Sequence, residues 1–170
     1  MSADIALPHL APEVLREIYA HAQATYPEEC CGFLLGPAAQ AMVDEVRVCV
    51  NEQNRYHALD PERFPRTART AYYLGGKDLR FLSQTTGTAR PVKIIYHSHI
   101  DVGSYFSAED IRAALGREPD ETAEPLYAVD YIVIDAQADH IAGAKLFRWD
   151  QQQHIFAHVA SYDDHGVTTS

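Results

Sequence analysis

The sequence predicts an α/β domain of the mixed, α+β kind, with a central mixed β-sheet flanked by helices. Three observations predict it. The chain has 170 residues, a length that suits one domain. At least six segments read as strands, and they alternate irregularly with helices. Strand hairpins stand at both ends of the chain, unlike the regular βαβ succession of a doubly wound parallel fold. Apolar residues at 46% are enough to fill a core.

The elements follow in order. Residues 11–26 read as a helix: Val14, Leu15, Ile18, Tyr19 and Ala22 recur at helical spacing. Pro12 suits its first turn, and Pro27 ends it. Residues 31–35 (CGFLL) form a short apolar run consistent with a buried strand. A turn over 36–40 then leads to a second strand over 41–51, where Val46, Val48 and Val50 alternate. Residues 60–86 read as helix in two pieces, with Asp60 as N-cap, Pro61 in the first turn and a break at Gly75-Gly76. Residues 92–97 (VKIIYH) read as a strand and 108–115 as a helix, with an acidic loop over 116–124. Strands are predicted over 126–136, 141–149 and 154–162. Residues 163–170 read as a flexible tail, so that 1–162 is one domain.

Composition narrows the function. The formal charge of −10 opposes nucleic-acid binding, which needs a basic face, and opposes docking on anionic membranes. The apolar runs are too short to span a bilayer. Residues 1–14 show no basic stretch followed by an apolar one, so a signal peptide is not expected and the expected location is the cytoplasm. Three cysteines, two of them adjacent, make neither a disulfide framework nor a four-thiolate zinc cage. Cys30 and Cys31 head an apolar strand, where core packing is the expected role in place of nucleophile.

The chemistry concentrates in 96–111, YHSHIDVGSYFSAEDI. His97 and His99 lie two apart on a predicted strand, so alternation turns both imidazoles to one side and lets them reach one ion. Asp110, in the first turn of the next helix, can return a carboxylate to the same place. Two imidazoles and one carboxylate make a catalytic zinc set with a fourth position for water. Each half has a plainer meaning: two histidines at this spacing arise by chance, and Ser107-x-x-Asp110 is also a capping box. The joint pattern is much rarer than either half. His154 and His158 would lie about 13 Å apart on a strand, too far to share an ion.

With its spacing, His97-Ser98-His99, Ser107 and Asp110 together resemble the H-[ST]-H-x7-S-x2-D motif of the JAMM/MPN+ metalloproteases. Pro27-Glu28-Glu29-Cys30-Cys31-Gly32 looks like the P-x-E-x-C-G segment of small bacterial members. The resemblance runs over most of the chain and departs where many members have a proline and this chain has Ile100. It implies a cytidine-deaminase-like JAMM/MPN fold. It also implies one Zn2+ held by His97, His99 and Asp110, with Glu29 taking the proton of the attacking water and Ser107 steadying the oxyanion. The implied reaction is hydrolysis of a peptide or isopeptide bond after the C-terminal diglycine of a ubiquitin-like sulfur-carrier protein, which releases an attached residue. The absence of an appended recognition domain favours a sulfur-carrier tail over a ubiquitin chain. Dimers are common among such domains, so a homodimer is a further expectation. The alternatives left open are a non-catalytic scaffold of the same fold and a zinc amidohydrolase for another small amide.

Overall fold

The computed structural model describes residues 5–164. The elements are β1 (His9–Leu10), α1 (Pro12–Thr25), β2 (Cys31–Leu35), β3 (Met42–Val43), β4 (Glu45–Cys49) and α2 (Gln53–Leu59), followed by α3 (Gly76–Thr85), β5 (Val92–Ile100) and α4 (Ala108–Leu115). Three strands close the chain: β6 (Asp130–Ala136), β7 (Ile141–Asp150) and β8 (Ile155–Tyr162). Six strands form one sheet in the order β4-β2-β5-β6-β7-β8. Only the central β5–β6 pair is parallel, and the others are antiparallel, so the sheet is mixed as predicted. β1 and β3 pair separately, in parallel.

The sheet buries both faces. On one, α1 lays down the five residues that the sequence pattern marks, Val14, Leu15, Ile18, Tyr19 and Ala22, against Leu34, Ile94, Ile132 and Leu146. On the other, Leu82 of α3 and Ala114 of α4 cover Phe33, Ile95, Tyr131 and Val133. Burial on both sides explains why β2 and the centre of β5 read as continuous apolar runs. Cys30 and Cys31 are buried in this core, as expected, and Cys49 is buried beside them. Burial pushes the thiols of Cys30 and Cys49 up to about 12, so they are poor nucleophiles at neutral pH.

Gly32 pairs with Tyr96 in the β2–β5 register. A Cβ there would lie 2.4 Å from the Tyr96 phenol, and Tyr96 is fully buried with its hydroxyl 2.8 Å from His21 Nδ1. Gly32→Ala is therefore expected to destabilise the protein by about 1–3 kcal/mol, the usual range for overpacking. Chemical denaturation would read the loss, and an unchanged midpoint would contradict it.

Several expectations are corrected. The predicted helix beginning at Asp60 does not exist. The helix lies just upstream, as α2, and Asp60 is its C-cap. The residue before a proline is disfavoured in helical conformation, so Pro61 stops a helix here where the sequence reading had it starting one. Residues 60–75 are irregular, and only the second piece of the predicted pair forms, as α3. The predicted strand over 41–51 splits at Asp44, whose N–H donates to Leu35 O, because β3 leaves the main sheet to pair with β1. The final strands start later than predicted, at Asp130 and Ile155. Of the predicted tail, residues 165–170 lie outside the described ones. Among the described residues, no helix is long and apolar enough to cross a membrane.

Candidate metal centre

β5 runs to Ile100, so both His97 and His99 sit within it. Ile94, Tyr96 and Ile100 face α1, and alternation sends His97 and His99 to the opposite face with Ile95. Ile100, which stands where many JAMM/MPN+ members have proline, thus fills the core and pairs with Ala136. His97 is level with Cys31 and Cys49 across three strands. Its ring stacks on Tyr72, with centroids 4.5 Å apart.

Asp110 reaches the histidines through the cap of α4. Ser107 Oγ accepts from Asp110 N–H (3.1 Å), and the Asp110 carboxylate accepts from Ser107 N–H (2.9 Å). This is a reciprocal capping box, so the plain reading of S-x-x-D holds as well. The same carboxylate lies 3.2 Å from His97 Nε2 through one oxygen and 3.2 Å from His99 Nε2 through the other. His97 Nε2 and His99 Nε2 are themselves 3.2 Å apart. The cap thus aims the carboxylate, and the strand aims the imidazoles. His99 Nδ1 lies 3.1 Å from Gly103 O, which only accepts, so Nδ1 carries the hydrogen and the neutral ring offers the Nε2 lone pair to the group. His97, His99 and Asp110 are all buried, with donor atoms within 4.8 Å of one another. They can hold a metal ion, and among the described residues they are the one such group.

Asp110 is held well below the usual carboxylate range. Burial alone would raise it, but the adjoining His97 and His99 together outweigh that effect. Glu29 behaves oppositely. It is 5% exposed, and burial followed by the charge of Asp110 pushes it up to about 9, with Arg66 opposing. Glu29 lines the same cleft as His99, Ser107 and Asp110. Glu28 instead is exposed and accepts a hydrogen bond from Asn54 Nδ2.

The backbone at Glu29 is pinned from two sides. Ser98, between the two histidines, donates its N–H to Cys30 O and accepts from Cys30 N–H through Oγ, at 2.8 Å. Asn51 Nδ2 donates to Glu29 O, and Glu29 N–H donates to Ala68 O. The irregular segment over 60–75 forms the opposite wall of the cleft. Side chains of α2 hold it: Gln53 Nε2 donates to Arg66 O and Asn54 Oδ1 accepts from Ala68 N–H. The pairing of residues about 14 and 22 apart through side-chain amides has no sequence signature, so Asn51 and Gln53 are not legible in the sequence as site residues. The cleft measures about 540 Å³.

A family model described as prokaryotic homologs of the JAB domain matches residues 11–150. The chain belongs to this family. Two solved relatives agree with the JAB-domain fold seen here. A protein from Desulfitobacterium hafniense is 19% identical, with 88% of each chain covered and a TM-score of 0.57. A protein from Salinibacter ruber is 22% identical, with 89% of this chain and 88% of that one covered and a TM-score of 0.55. A JAB1/MPN domain protein from Archaeoglobus fulgidus is 14% identical, with 79% of this chain and 82% of that one covered and a TM-score of 0.45. A comparison with curated protein sequences finds no match. The JAB/MPN family includes zinc metalloproteases and many non-catalytic members, so the residues in this cleft decide which reading fits.

Proposed function

We propose that this JAB domain is a zinc-dependent peptidase that hydrolyses the amide bond after the C-terminal diglycine of a ubiquitin-like sulfur-carrier protein. The observation that carries the reading is the convergence of His97, His99 and Asp110 beside a buried glutamate in one cleft. Two imidazole nitrogens and a carboxylate oxygen suit zinc, and three protein donors are the number a catalytic site uses. Zinc bound there would supply a Lewis acid and lower the pKa of water from 15.7 toward about 7.

The protein groups do the rest. Beside the positive charge of bound zinc, Glu29 would be drawn down from its zinc-free value of about 9, and its ionised carboxylate would then accept a proton from the attacking water and pass it to the departing nitrogen. Ser107 Oγ already accepts from Asp110 N–H, which leaves its own O–H to donate to the carbonyl oxygen as negative charge develops there. Glu28, exposed and tied to Asn54, is the poorer base. Gln53, Tyr72 and Tyr73 line the cleft wall, against which an extended tail can lie.

The test is mass spectrometry of sulfur-carrier proteins bearing one extra C-terminal residue, incubated with the zinc-supplemented protein. Loss of that residue and exposure of the diglycine is the expected result. Protein that takes up no zinc on dialysis and trims no carrier would mark the chain as a scaffold.

A further inference from the structure

The metal cleft concentrates arginines in a chain that is acidic overall. Acidic residues outnumber Lys and Arg by 24 to 14, yet Arg63, Arg66, Arg112 and Arg117 line this one cavity, matched there by Glu29, Glu109, Asp110 and Glu118. Two are already engaged. Arg112 pairs with Glu109 and Glu118, and Arg117 pairs with Asp120. The other two are less firmly held. Among the described residues Arg63 pairs with no carboxylate, and its guanidinium lies over the Phe64 ring, 5.4 Å from the centroid. Stacking of that kind leaves the N–H edge free for an anion. Arg66 meets Glu109 only at 3.7 Å, with both side chains nearly half exposed, a weak and screened pair; its Nη1 donates to Thr70 O at 3.3 Å, and its fork has further N–H groups for an anion. Both arginines project from the segment whose backbone Gln53 and Asn54 hold at Arg66 and Ala68. Arg66 lines the same cleft as Glu29, whose carboxylate its charge favours.

The chemistry of the reaction says which anion belongs there. In an amide bond to a C-terminal residue, the α-carboxylate sits one carbon from the departing nitrogen. In an isopeptide bond, the nitrogen departs on a lysine side chain, becomes cationic and has no carboxylate near it. We propose that Arg63 and Arg66 form a carboxylate-binding wall of the metal cleft, which selects peptide bonds ahead of one free C-terminal residue over isopeptide bonds on lysine. One water is consumed: its oxygen joins the glycine carbonyl carbon, the C–N bond breaks, and the nitrogen leaves with a proton as the amine of a free amino acid. This inference rests on the function proposed above and names the class of bond it acts on.

Calorimetric binding separates the two. The protein is the zinc-supplemented Glu29→Gln variant, and the probes are short peptides ending in Gly-Gly-Ala with a free carboxylate, the same peptides as C-terminal amides, and Gly-Gly joined to a lysine ε-amine. The acid is expected to bind roughly tenfold or more tightly than either of the others, the scale of one charge-assisted hydrogen bond. Arg63→Gln with Arg66→Gln should bring the acid down to the amide. The comparison of acid with amide needs neither arginine substitution and so does not depend on how well the double variant folds. Equal binding of acid and amide overturns the arginine wall and leaves the peptidase reading standing. No zinc-dependent binding of any of these peptides overturns both.

Discussion

Glu29→Gln is expected to keep the metal and to lower turnover by about 10²–10⁴-fold, the usual worth of general acid–base help. The substitution is nearly isosteric and touches none of the three donors, so zinc content should remain near one per chain. Its carboxamide can neither take the proton of water nor return it to the leaving nitrogen. A variant with full activity would point to Glu28 or another group as the base. A second readout comes from stability. In zinc-free protein, burial and then the charge of Asp110 hold Glu29 up at about 9, against an ordinary value of 4.5. The folded state therefore keeps a proton that the unfolded chain gives up. The stability this lends is fully present below about pH 4.5 and is lost as pH rises through about 9. Glu29→Gln has no such loss. In chelator-treated samples the variant should match the parent near pH 4.5 and exceed it at pH 8, by an amount on the order of a few kcal/mol. Parallel stability curves would show that Glu29 is not desolvated as the cleft requires.

His99→Ala is expected to fail differently, with metal and activity lost together. It removes one of three donors and leaves Gly103 O without the N–H that steadied the ring. Loss of an outer-shell partner alone typically costs about 10–100-fold in affinity or activity, and loss of the ligand itself should exceed that. A thermal shift makes the distinction. With free zinc at about 1,000 times Kd, binding to the folded state adds about 4 kcal/mol. In a domain of this size that is roughly 10 °C in Tm. The parent and Glu29→Gln should both show this zinc-dependent rise, and His99→Ala should show almost none. A His99→Ala protein that still rises with zinc would place the ion elsewhere.

These contrasts depend on features of unequal legibility. The side to which His97 and His99 point follows from strand alternation, a property of the backbone that two residues suffice to express. The cap at Ser107 and Asp110 is equally local, because its partners lie three residues apart. The wall over 60–75 was misread because proline is compatible with both ends of a helix, and Asp60-Pro61 fits either. What separates the two is whether Gln53 and Asn54, upstream, find partners downstream at Arg66 and Ala68. That is a long-range matter with no period to detect.

By itself, the sequence determined the elements with strong periodicity: the buried stripe of α1, the central strands, the facing of the two histidines and the cap that carries Asp110. Each is settled within a few residues by backbone geometry and by burial of apolar side chains. Only the tertiary structure decided how these meet. It brought the histidine nitrogens to 3.2 Å from one carboxylate, buried Glu29 at the cleft they face, and set Arg63 and Arg66 along the same cleft. Those distances arise from sheet register and from side chains that reach across the chain, and their energies depend on how far water is excluded where they meet.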